Sequence, residues 1–207
     1  MIKTRSPLLG MALNLMAIAG YTALGPAEQS LGSSVRVVYL HSAWIWSALL
    51  AFLAAALAGL SGLLLGKRSW QRWSRSLART GLLFWVTYLP LSLWAMQTNW
   101  NGLFLAEPRW RVALVFAAGG LLLQASLALV DDLTWDSLAN PAFTLILTWS
   151  LAATENVLHP GVPILRSESI RIQLYAGGLL LLTCLLAWQA AHWLQRSNSA
   201  TEISAIR

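Results

Sequence analysis

Read for polarity alone, the chain alternates long apolar runs with short polar ones. Six apolar runs stand out, at about 7–24, 38–65, 81–97, 112–130, 142–158 and 172–194. Runs of roughly 18 or more apolar residues can cross ~30 Å of hydrocarbon as helix. The chain carries no internal repeat and none of the period-two alternation of a membrane β-barrel. The pattern predicts an all-α integral membrane protein, a single domain over 1–207 with six transmembrane helices. A short polar tail at 195–207 is expected to be disordered.

Punctuation within the pattern supports this division. Lys3 and Arg5 before an apolar stretch have the look of a signal peptide. The run is long for one, however, and no convincing Ala-x-Ala site follows, so a retained first span is expected. Gly25-Pro26 ends it, and Gly32-Ser33-Ser34 marks a turn before the second run. The second run is rich in small residues (Ala54, Ala55, Ala56, Ala58, Gly59, Gly62), which let helices approach closely in lipid. Pro90 is expected to kink the third run, Gly119-Gly120 lies in the fourth, and Asn140-Pro141 reads as a turn before the fifth.

Composition agrees with the pattern: 57% of residues are hydrophobic and 11% are charged, against about 25% charged in a soluble domain. That balance excludes a soluble catalytic domain. The net charge of +6 would suggest nucleic acid in a soluble protein. Here the basic residues gather at the ends of apolar runs, so membrane orientation accounts for them better. The densest group, Lys67 to Arg79, interleaves Arg with Trp70 and Trp73 and reads as a headgroup-facing loop rather than a nucleic-acid site. With six spans, nine basic residues fall on the side of the termini (Lys3, Arg5, Lys67, Arg68, Arg72, Arg75, Arg79, Arg196, Arg207). Five fall on the other (Arg36, Arg109, Arg111, Arg166, Arg171). Both termini are therefore expected in the cytoplasm. Asp131, Asp132 and Asp136 read as a solvated acidic loop, and Cys184 as a lone small residue on a helix face. The chain has no CxxCH, so it is not itself a c-type cytochrome, and no P-loop.

Candidate chemistry comes from the histidines, of which there are three. The topology sorts His41, His159 and the segment Trp100 to Trp110 to the outward face, and His192 to the inner one. Two imidazoles beside an aromatic loop suit a flat, metal-centred ligand, and haem b is the natural candidate. In that reading His41 and His159 are the metal ligands. Glu155 stands four residues before His159, so on a continuing helix its carboxylate shares that histidine's face. An acid at the outer interface, paired with Arg166 or Arg171, is the alternative.

These segments resemble the cytochrome c assembly family of haem-handling membrane proteins, in particular its six-span, CcmC-like branch. Tyr39-Leu40-His41-Ser42-Ala43-Trp44 is similar to the family's Tyr-x-His-x-x-Ser-Ala-Trp, two residues shorter between the histidine and the serine. The family's Trp-Gly-x-x-Trp-x-Trp-Asp-Pro-Arg/Lys motif falls without a gap on Trp100 to Arg109. Phe104 and Ala106 stand where it has tryptophans, and Glu107 where it has aspartate. Leu158-His159-Pro160 matches the second histidine motif. The resemblance implies axial ligation by His41 and His159. It also implies an aromatic platform of Trp100, Phe104 and Trp110, with polar contacts from Glu107 and Arg109. It further implies haem delivery for cytochrome c maturation in a bacterial inner membrane, by handling and transfer rather than turnover of a small substrate. The partners would be other membrane subunits, a haem chaperone or an ATP-binding-cassette exporter. Two other readings stay open: a haem-free structural subunit of a larger complex, and a resident b-type cytochrome subunit.

Overall fold

The structure, a computed structural model, describes residues 6–155 and 167–205, with side chains as far as 197. Among the described residues there are six helices and no strand. They are α1 (Pro7–Ala23), α2 (Val35–Leu64), α3 (Arg68–Trp100), α4 (Pro108–Val130), α5 (Leu133–Ala153) and α6 (Ile170–Ala205). Three segments, Val35–Leu64, Pro108–Val130 and Ile170–Ser197, are long and apolar enough to cross a membrane. The expected count of six such spans is corrected to three on length and composition. α1 is apolar but only 17 residues long. α3 and α5 spend much of their length on polar groups, many of them turned into the bundle.

α2 and α3 make a central antiparallel hairpin. The turn between them is three residues, 65–67, with Gly66 at φ 62°, a left-handed backbone that glycine adopts without steric cost. Small residues then hold the two helices together along their length. A Cβ on Gly62 would stand 2.7 Å from Gln71 Cγ, and one on Gly81 2.8 Å from the Phe52 ring. Further along, Trp44 donates from Nε1 to Thr87 Oγ1 at 2.9 Å and stacks on Phe84.

Two further antiparallel pairs flank this hairpin. α1 lies along α6, with Tyr21 stacked on Tyr175 at 4.7 Å and Asn14 Nδ2 donating to the Leu182 carbonyl at 3.2 Å. α4 lies along α5, with Gln124 Nε2 donating to Asn140 Oδ1 at 3.1 Å and Phe116 against Phe143. α6 runs parallel to α2, where Ser47 donates to Thr183 Oγ1 at 2.8 Å and Tyr39 meets Tyr175. Successive helices therefore alternate in direction. The loops 24–34 and 101–107, the end of α5 and the start of α6 share one end of the bundle, here the first end. The start of α1, the turns 65–67 and 131–132, and the far end of α6 share the second.

Several sequence expectations change. The basic segment is not a loop: α3 begins at Arg68, and Gln71, Ser74, Arg75 and Ala78 are buried at helical spacing. Asp136 is not solvated. It is fully buried in the first turn of α5, where Arg75 Nε donates to its Oδ2 at 2.8 Å, and Arg75 Nη1 reaches Asp131 at 2.7 Å. α5 starts at Leu133, capped by the Asp132 side chain accepting from Thr134 N. It continues through Asn140-Pro141, and α3 continues through Pro90. α5 stops at Ala153 with Thr154 extended (ψ 130°), so Glu155 is not on a helix continuing toward His159. The tail expected to be disordered is instead helical as far as Ala205.

Candidate functional site

His41 lies in the second turn of α2, near the first end of the bundle. In an antiparallel hairpin with a tight turn, residues at similar distances from Gly66 face one another. His41 accordingly meets Tyr88 of α3, their rings stacked with centroids 4.9 Å apart and planes 29° apart. Tyr88 is buried and leans on Trp85, which is fully buried and donates from Nε1 to the Ala113 carbonyl of α4 at 2.9 Å. α2, α3 and α4 thus meet behind the histidine.

The segment after α3 is built by backbone geometry. Asn101 ends the helix in the left-handed region at φ 52°, which asparagine tolerates better than most residues. Glu107 N donates to the Phe104 carbonyl at 2.9 Å, and Pro108 opens α4 at a position where its fixed φ suits a helix. The turn buries Glu107 and leaves Leu103, Phe104 and Leu105 exposed. Trp100 sits half-buried at the last position of α3. Glu107 and Arg109 both act electrostatically on the Tyr88 phenol, so they share the neighbourhood of the tyrosine that stacks on His41.

Two donors here are unspent. Arg109 Nη2 donates weakly to the Leu151 carbonyl at 3.4 Å, tying α4 to the end of α5. Among the described residues, its Nε and the indole Nε1 of Trp110 are buried without a hydrogen-bond partner. Buried N–H groups seldom stay unsatisfied, because each forfeits its bond to water. The corner therefore offers an imidazole, two N–H donors and a rim of exposed apolar side chains.

Of the residues singled out in the sequence, His41 stacks on Tyr88, and Glu107 and Arg109 lie within electrostatic reach of the same tyrosine, with Trp110 adjoining Arg109 on α4. Phe104 is exposed on the rim, and Trp100 and Trp110 are half-buried. His159 lies outside the described residues. His192 is at the second end, its ring parallel to Trp73 and Trp188 with centroids 5.9 and 5.8 Å away. Among the described residues no three His, Cys, Asp or Glu side chains gather in a metal-holding cluster. Tyr88 was not singled out from the sequence. Its signal lies in the hairpin register, which pairs it with position 41 once the turn at Gly66 is recognised. Neither a protein-family model nor a curated protein matches the chain.

Proposed function

We propose that this protein is a six-span membrane protein that binds haem b at the first end of its bundle, in haem delivery for cytochrome c maturation. The observation that carries the reading is the stack of His41 on Tyr88 at the end of the bundle where Glu107 and Arg109 lie within electrostatic reach of that tyrosine. The groups present fit a haem. A neutral imidazole suits the iron, the orphaned Arg109 Nε and Trp110 Nε1 suit propionate carboxylates, and Leu103, Phe104 and Leu105 suit the porphyrin edge. Haem would supply the metal and the colour; the chain's part is to hold, orient and release it. The stack of Tyr88 fixes the plane of the His41 ring, while the exposed rim keeps the site open for transfer. The second ligand of this reading is His159. Asn101 adds support from backbone geometry, since the family motif's glycine falls on this left-handed position.

A structural subunit without haem is the second reading. It is favoured by the outer face of α4, where Val115, Leu122 and Leu129 are all more than two-thirds exposed at heptad spacing. One spectrum separates the two. Detergent-purified wild-type protein should show a Soret band after addition of haem, and His41→Ala and His159→Ala should each weaken or shift it. A wild-type spectrum that stays featureless with added haem overturns the haem reading and leaves the subunit.

A further inference from the structure

The second end of the bundle carries a feature that the haem reading does not use. A cleft of about 450 Å³ opens there, lined by Arg68, Arg72 and Arg75 of α3 and by Val130, Asp131, Asp132 and Leu133 between α4 and α5. The arginines repeat at i, i+4 and i+7, so one face of α3 presents all three. Arg75 is already engaged by Asp131 and by the buried Asp136. Asp132 is exposed, and hydrogen bonds from Thr134 hold its carboxyl below the ordinary carboxylate range, so it is ionised at neutral pH. Asp131 is 76% exposed at its side chain, with one oxygen on Arg75.

The cleft therefore offers both signs of charge at its mouth. A simple anion drawn to Arg68 and Arg72 would meet the Asp131 and Asp132 carboxylates, and a simple cation would meet the guanidiniums. A zwitterion carrying a phosphate and a primary ammonium satisfies both. The wall of the cleft also points to lipid. Val130 closes the apolar α4, and the exposed stripe Val115, Leu122 and Leu129 leads away from the cleft along that helix.

We propose that this cleft binds the headgroup of a phosphoethanolamine lipid. Arg68 and Arg72 hold the phosphate, Asp131 and Asp132 accept hydrogen bonds from the ammonium, and the acyl chains lie along the α4 stripe. A trimethylated choline headgroup has no N–H to donate, and a glycerol headgroup has no cation for the carboxylates. Discrimination should follow from those two absences.

The test is native mass spectrometry of the delipidated full-length protein. It is incubated with phosphatidylethanolamine, phosphatidylcholine or phosphatidylglycerol of identical chains, with soluble glycerophosphoethanolamine as competitor. Phosphatidylethanolamine should be retained roughly tenfold better than either other lipid, the size expected of a charge-assisted hydrogen bond. Asp132→Asn should erase that preference, whereas Arg68→Gln should weaken retention of all three lipids alike, because all three carry the phosphate. Both variants should fold, because asparagine caps a helix as well as aspartate does and Arg68 is an exposed first helical residue; circular dichroism checks this. The proposal is overturned by equal or tighter binding of phosphatidylglycerol, by a preference that survives in folded Asp132→Asn, by retention unchanged in folded Arg68→Gln, or by the absence of bound lipid. Competition by the soluble headgroup at the lipid's own affinity overturns the lipid assignment in favour of a free phosphoethanolamine compound. None of these outcomes depends on haem.

Discussion

Arg75 and Asp136 show what a single pair of charges contributes here. Asp136 is fully buried, Arg75 is 7% exposed, and they meet at 2.8 Å. Removing Arg75 leaves the buried Asp136 carboxylate without solvent or its counterion, at a cost of about 3–5 kcal/mol, whereas removing Asp136 leaves Arg75 still paired with Asp131. Arg75→Ala should therefore lower the thermal midpoint in detergent markedly, and Asp136→Asn should lower it by less, because Arg75 keeps Asp131. The double substitution Arg75→Met with Asp136→Leu should recover most of the loss, because no stranded charge remains. If both single variants melt like wild type, the pair is no anchor between α3 and α5. Sequence reading placed Asp136 in a solvated loop because three acids within six positions resemble one. Its counter-charge stands far away in the chain, and only the parallel packing of α3 and α5 joins them. Asp132 was more accessible to sequence reasoning: an acid two residues before Thr134, at the start of a helix, is a capping signal.

Among the helices, packing rests on where side chains are missing. A Cβ at Gly59 would lie 2.9 Å from the Ser137 carbonyl oxygen and 2.9 Å from Ser74 Oγ, pinching α2 against α5 and α3 together. Backbone cannot yield as a flexible side chain can, so Gly59→Ala should destabilise by about 1–3 kcal/mol. Gly119→Ala meets nothing within 4 Å and should be neutral or stabilise by up to about 1 kcal/mol through helix propensity. Thermal unfolding of the two variants side by side checks the contrast, and equal effects would refute the close contact at Gly59. The small-residue run of α2 was legible in the sequence, and so was the close approach it allows. Its partners were not. Gln71, Ser74, Arg75 and Ala78 follow the i, i+3, i+4, i+7 spacing of a buried helical face, but three of the four are polar, so an apolar-pattern reading treats the segment as a loop. The first helical third of α3 and the start of α5 were missed for this one reason. Helices that bury polar groups against each other carry no hydrophobic signature.

Across the whole molecule, alternation of direction puts the start of α1 and the end of α6 at one end with the basic turn 65–67, and His41 with the loop 101–107 at the other. In a Cys184→Ser background, single cysteines at Ser30 and Leu103 should react with a membrane-impermeant maleimide from one side of the membrane, and those at Lys67 and Thr134 only from the opposite side. Mixed labelling within either pair would contradict insertion of the bundle as six alternating spans. The candidate site divides in the same way between legible and hidden. His41, Glu107 and Arg109 carry chemistry in their side chains and stand out in any reading. Tyr88, on which His41 stacks, lies inside an apolar run and becomes visible only when α2 and α3 are folded together.

The three helices apolar enough to cross a membrane are α2, α4 and α6, and they all run from the first end to the second. Each of the other three is packed antiparallel against one of them: α1 on α6, α3 on α2, α5 on α4. During synthesis this divides the labour of insertion. A ribosome feeding such a chain into the bilayer would deliver every second segment as one that partitions on its own. The segment between would enter lipid on the strength of packing against its neighbours, which for the polar groups of α5 are α2 and α3 as well as α4. The main partner of α1 is α6, the sixth of these helices in chain order, so the nascent chain would carry α1 without that partner until α6 has emerged. The fold would then lock only with the arrival of α6.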